Sequence, residues 1–257
     1  MKRKNSALRL AVVTAVLLIP ASAHAAAPVP DVPAQYAGSL VLDQTGAQFL
    51  ANSAPRSYHG ADCTGYQSGQ SVTTNSAGQL DLWTSGRIGS CAEVTTTSVW
   101  YTGVFEARID IPSYNGKIPD WPAFWFTSRP EPWPTGGEID VMEGLGGIDC
   151  ASYHYSATAG SAGEHTATFC PWGTPSATQI MYSPAFTVGP SWHTFDLVWA
   201  PSFARIYVDG KFYGQFSGSY FHPGTEALTI DNTSGPYGGQ AVSSNLLVQH
   251  VRIWTYR

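Results

Sequence analysis

The chain has 257 residues, with thirteen Lys and Arg against eighteen Asp and Glu, a formal net charge of −5. Four of the cations, Lys2, Arg3, Lys4 and Arg9, crowd the first nine residues, and the other nine are scattered with no two adjacent, leaving −9 over the remainder. That distribution lacks the basic stripe expected of a nucleic-acid binder and argues against sulfated polysaccharides, whereas nine Trp and thirteen Tyr supply flat apolar faces suited to stacking on neutral sugar rings.

The basic head is followed by an apolar run from Leu10 to Ile19, too short to span a bilayer, and by Ala23-His24-Ala25, a small-x-small cleavage site. Residues 1–25 therefore read as a secretory signal peptide, and the mature protein is expected to be extracellular, off the membrane and monomeric. Residues 26–38, with Pro28, Pro30 and Pro33, read as a short extended linker, and residues 39–257 as a single β-rich domain.

After the signal peptide helical periodicity is nearly absent, and Gly and Pro punctuate short alternating runs. Strands are expected at Ser39–Leu42 and Gln79–Trp83, separated by a long polar loop from Asn52 to Asn75 with little regular structure; such loops are commonly functional. Val99–Ile111 alternates, with Val104, Glu106, Arg108 and Asp110 on a wet face and Glu106 and Arg108 as a solvent-face pair. Trp121–Phe126 reads as a buried aromatic strand with Trp125 in the core. A stiff loop with Pro130, Pro132 and Pro134 then leads to an acidic stretch, followed by a strand at Ser152–Ser156. Trp192–Trp199 alternates again, with His193 structural. Arg205–Tyr213 is a hairpin closed by Asp209-Gly210, a type I′ pair, and Leu246–Trp254 is a last strand expected to pair near the first. Four cysteines in an exported chain point to two disulfides with three possible pairings. The local one, Cys63 with Cys91 and Cys150 with Cys170, is expected.

The acidic stretch is Gly137-Glu138-Ile139-Asp140-Val141-Met142-Glu143-Gly144. In a regular strand Glu138 and Asp140 share one face, while Glu143 falls with Ile139 and Val141 on the apolar one, where an unpaired carboxylate is costly. A β-bulge at Val141-Met142 sets two residues against one and returns Glu143 to the face of Glu138 and Asp140. The outer pair is then four strand steps apart, about 13 Å between α-carbons. Two long side chains leaning together approach the roughly 5–5.5 Å at which one carboxyl attacks an anomeric carbon and the other serves as acid. Asp140 between them raises its neighbours' proton affinity. A solvated acidic face and a calcium site of three carboxylates are the alternatives.

The spacing Glu-x-Asp-x-x-Glu resembles the catalytic signature of glycoside hydrolase family 16 in its bulged, laminarinase-like form. The framework segments Thr102–Ile109, Trp121–Trp125, Trp192–Phe195, Trp199–Pro201, Tyr207–Gly210 and Val251–Trp254 resemble that family in the same order. The resemblance implies an all-β jelly-roll of two curved antiparallel sheets, a concave substrate cleft, and double displacement with retention. By position, Glu138 is the nucleophile, Glu143 the acid/base and Asp140 the helper. Trp133 and Trp121 are implied to line the cleft, His154 to sit near Glu143, and Trp100 and Trp172 to extend the sugar-binding surface. The expected substrate is a β-1,3- or mixed-linkage β-glucan, with a β-galactan hydrolase, a transglycosylase or a non-catalytic carbohydrate-binding jelly-roll as alternatives. Asp231–Gly239 departs from an Asn-x-Ala-x-Gly-Gly stretch of many relatives. Gln249 stands where relatives often carry a calcium-binding Asp, so no cofactor is expected and a structural calcium is not counted on.

Overall fold

The computed structural model describes residues 27–55, 71–128, 131–160, 163–170, 179–181 and 184–257. The proposed signal peptide, Cys63 and Trp172 lie outside these described residues. In chain order the elements are β1 (Ala37–Thr45), α1 (Gly46–Asn52), β2 (Ser53–Pro55), β3 (Val72–Thr74), β4 (Leu80–Ser85), β5 (Cys91–Thr96), β6 (Gly103–Asp110), β7 (Trp121–Ser128) and β8 (Glu138–Leu145). They continue with β9 (Ile148–Tyr155), β10 (His165–Thr168), β11 (Gln179–Met181), β12 (Trp192–Ala200), β13 (Phe203–Val208), β14 (Lys211–Ser217), β15 (Glu226–Thr233) and β16 (Ser243–Tyr256).

These strands form two packed sheets, all-β as the alternating runs predict and in the jelly-roll that the family resemblance implies. One runs β14-β13-β12-β6-β16-β4-β3 with β1 added along β16; the other runs β11-β10-β9-β8-β7-β15-β5-β2. The pairing is antiparallel except for β10 with β11. The first and last strands pair as expected, Ala37 to Thr45 against Tyr256 to His250. Asp209 (φ 49°) and Gly210 (φ 72°) make the predicted hairpin turn between β13 and β14, where two left-handed residues match the strand twist. α1 is short, capped by Thr45, whose side chain accepts from the Gln48 amide while the Gln48 side chain reciprocates.

The main core lies between the sheets, where Phe105, Phe124, Phe126, Phe195 and Trp199 interlock, with Phe105 and Phe126 ring centres 4.8 Å apart. A second, smaller cluster sits on the opposite face of the first sheet, where Val104, Val198, Tyr207 and Trp254 are covered by Val32, Tyr36 and Ala37. This corrects the expected wet face of β6. The chain before β1 folds over Val104, and Glu106 is also buried. Glu106 does not pair with Arg108; its Oε1 meets His250 Nε2 at 2.9 Å and Arg252 at 3.1 Å, while Arg108 donates to Thr194 Oγ1. The ends of the expected long loop are strands, β2 and β3, and residues 56–70 lie outside the described residues. Gln249 is the extra residue where β16 slips against β6 between Val248 and His250, and its side chain is exposed.

Candidate active site

The site is built on β8. Against β7, Asp140 pairs with Trp125 and Met142 with Phe124; against β9, Asp140 pairs with Ser152 and Glu143 with Cys150. Three steps along β8 thus match two along each neighbour, so Val141 and Met142 are both turned into the intersheet core, fully buried. This is the bulge the sequence demanded. Directly opposite residues share a face, so Glu138 (opposite Thr127 and His154), Asp140 and Glu143 all emerge on the face away from the core. Gly137, at φ 84°, makes the turn into β8, and a Cβ there would lie 3.0 Å from the Tyr153 hydroxyl.

The acids occupy a dry setting. Asp140 is 3% and Glu143 8% exposed. Burial, followed by the Asp140 carboxylate, pushes the Glu138 carboxyl up to about 8; His154 opposes this, Glu143 adds to it, and a hydrogen bond from Trp133 opposes it again. His154 Nε2 lies 3.2 Å from Asp140 Oδ2 and 4.0 Å from Glu138 Oε1, and its Nδ1 lies 2.6 Å from Glu164 Oε1. Burial alone would drive the imidazole toward neutrality. Its hydrogen bonds to Asp140 and Glu164 and the charges of Asp140 and Glu138 outweigh that and raise its pKa well above the usual histidine value.

The structure brings together Glu138, Asp140, Glu143, Trp121, Trp133 and His154. Trp121 Nε1 donates to Glu143 Oε1 at 2.9 Å, and the Trp133 ring stands 6.0 Å from His154. Two expectations need correction. His154 sits opposite Glu138 rather than beside Glu143, because the β8–β9 register places it at the other end of the acidic row. Trp100 packs against the main core, edge-on to Phe105 at 5.8 Å, rather than on the sugar-binding face. Cys150 and Cys170 are joined as expected, and Cys91 is disulfide-bonded.

Several residues of this face escaped the sequence reading. Trp125 is buried on the acidic side, not in the intersheet core, and donates to Asp231 Oδ2 at 2.7 Å. Its parity with Trp121 on β7 was the available signal. Beyond Asp231, β5 contributes Glu93 and Thr95, held together at 3.2 Å. Tyr237, 58% exposed, meets Trp121 edge-on at 5.3 Å. Its loop lies close because Gly235 has no side chain: a Cβ there would stand 2.5 Å from Trp121 Cε3. A separate hollow of about 440 Å³, lined by Tyr114, Lys117 and Gln240 among others, contains none of the acids. Glu138, Asp140 and His154 form the one grouping among the described residues compact enough to hold a metal, their ligand atoms lying within 4.8 Å of one another.

Among known families, the model described as glycosyl hydrolases family 16 matches residues 59–225. A β-glucanase from Rhodothermus marinus is 26% identical over 181 residues, 61% of this chain and 58% of that protein. A β-1,3-glucan-binding protein from Penaeus monodon is 28% identical over 163 residues, 52% of this chain and 43% of that protein. The chain thus spans about half the length of these curated relatives. In fold it is similar to the endo-β-1,3-glucanase from Pyrococcus furiosus, with a TM-score of 0.63 and 20% identity over 89% of this chain and 99% of that one.

Proposed function

Because the chain belongs to glycosyl hydrolases family 16, we propose that it is a secreted, monomeric endo-β-glycanase that hydrolyses β-1,3- or mixed-linkage β-glucan with retention. One observation carries the reading: the bulge at Val141-Met142 turns three carboxyls out onto one dry face beside indole rings. A sugar-binding surface alone has no use for three clustered acids in a row.

In this mechanism the trio works with one proton on Glu143. Glu143 passes that proton to the glycosidic oxygen as a carboxylate oxygen of Glu138 bonds to the anomeric carbon. The bond to the leaving sugar breaks and a glycosyl ester forms on Glu138. Water then gives a proton to Glu143 and its oxygen to the anomeric carbon, and the ester bond breaks to restore the Glu138 carboxylate. His154, 3.2 Å from Asp140 and 4.0 Å from Glu138, offsets the Asp140 charge beside Glu138 through both steps. Burial sharpens each of these interactions by excluding water. Trp133 and Trp121 offer ring faces to the sugars flanking the scissile bond. No step calls for a resident metal.

The test is product analysis by size and anomeric configuration after incubation with laminarin, lichenan, xyloglucan and agarose, with Glu138→Gln as control. Cleavage of laminarin or lichenan to β-configured oligosaccharides by the parent, abolished in the variant, is the expected result. Cleavage of agarose alone would move the substrate to a galactan. Binding to laminarin with no cleavage of any substrate would leave a glucan-binding protein, as one relative is named.

A further inference from the structure

Glu164 lies just before β10, outside the acidic signature, yet it makes the shortest contact to the ring that serves it. Its Oε1 is 2.6 Å from His154 Nδ1 and accepts from Thr166 Oγ1 at 2.9 Å, while Thr166 Oγ1 is itself 3.2 Å from Nδ1. On its other side the ring presents Nε2 to Asp140 at 3.2 Å and to Glu138 at 4.0 Å. The groups facing His154 are thus Glu138 and Asp140 from β8, Glu164 and Thr166 from the β10 side, and Trp133 from the loop before β8. His165 lies beyond, acting on Glu164. An imidazole flipped or turned about its bond to Cβ would withdraw Nε2 from Asp140, and a strong acceptor on Nδ1 opposes that.

We propose that Glu164 is a positioning residue for the hydrolysis: by holding Nδ1 it fixes the His154 ring against Asp140 and Glu138. This rests on the glycanase reading of the same site. The directions of titration agree with it. Burial alone would raise the Glu164 pKa, yet its hydrogen bond to His154 and the charge of that ring hold it below the usual glutamate value. His154, so fixed, acts to lower the proton affinity of Glu138, the group that must be ionised to attack.

Two measurements test the proposal on the mature protein. The first is an NMR titration of the His154 ring, assigned with a His154→Asn spectrum, in the parent and in Glu164→Gln. Loss of the anion should weaken the ring's proton affinity at least about tenfold; an unchanged affinity overturns the proposal. The second is kinetics on laminarin. Glu164→Ala should lower kcat about tenfold or more with KM within about threefold, and move the acidic limb of kcat/KM to higher pH. Glu164→Gln, whose amide oxygen still accepts from Nδ1, should recover most of that loss in kcat. An unchanged kcat, or a loss of kcat with the acidic limb unmoved, overturns the proposal. If the parent cleaves no glucan, the glycanase reading fails, and the NMR titration still decides whether Glu164 governs the ring.

Discussion

Trp121 Nε1 donates to Glu143 Oε1 at 2.9 Å while the same ring meets Tyr237 edge-on at 5.3 Å, so one indole links the acid to the rim of the binding face. A hydrogen bond to a charged group contributes about 1.5–3 kcal/mol, and its loss on the reaction path corresponds to roughly a 10–100-fold change in rate. Trp121→Phe keeps the wall and removes the donor, so kcat should fall within that range while KM changes little. Steady-state kinetics on laminarin check it, and a change confined to KM would mean that the indole only binds sugar.

The identity of the nucleophile can be read chemically. A 2-fluoro-glucoside with a good leaving group should leave a long-lived glycosyl ester, and peptide mapping by mass spectrometry should find it on Glu138. With the Glu138 carboxyl pushed up to about 8 in the empty site, the ionised form required for attack is lost as pH falls. The acidic limb of kcat/KM should therefore lie well above the ordinary glutamate value of 4.5. A label on Glu143 would reverse the two roles.

Gly235 controls the approach of the Tyr237 loop. A methyl group there would stand 2.5 Å from Trp121 Cε3, so Gly235→Ala should displace the indole and lower kcat about tenfold or more, through an acid positioned wrongly. Kinetics together with a melting curve check this. Normal kinetics in Gly235→Ala would show that the loop yields instead of the ring.

Asp196 on β12 is fully buried, cross-strand from Glu106, with neither carboxyl oxygen hydrogen-bonded among the described residues. Burial first, then Glu106, Asp31 and Asp209, raise its pKa well above 3.8. The folded state therefore holds a proton that the unfolded chain releases, so this group's contribution is fully present below pH 3.8 and is lost as pH rises toward the folded value. The slope reaches about 1.4 kcal/mol per pH unit. Asp196→Asn should flatten the decline of Tm with pH and raise Tm at alkaline pH. An unaltered slope would show that Asp196 does not hold that proton.

The bridge Cys150–Cys170 spans a sequence separation of 20 residues, and Cys150 stands directly opposite Glu143. Replacing both with Ala should cost about 3 kcal/mol, measured by urea unfolding, if constraint of the unfolded chain dominates.

Much of this was legible beforehand because period-two alternation is strict. The bulge followed from a single misplaced glutamate, and the hairpin from Asp209-Gly210. What escaped depends on the third dimension. The burial of Val104 is decided with residues 32–37, a Pro-containing stretch whose sequence gives no sign of folding back over a sheet. Trp125 looked like core because an aromatic strand can bury either face; its parity with Trp121 hinted at the other face, and its register with Asp140 places it there. Glu164 sits in an irregular segment ten residues from His154, where no periodicity connects the two.

The arithmetic of β8 also has a consequence for length variation. Both residues of the bulge face the core, so deleting one of them returns β8 to regular pleating, with a single residue between Asp140 and the final glutamate. In a regular strand that glutamate, now two positions after Asp140, still points the same way. This strand can therefore lose a residue without losing an acid.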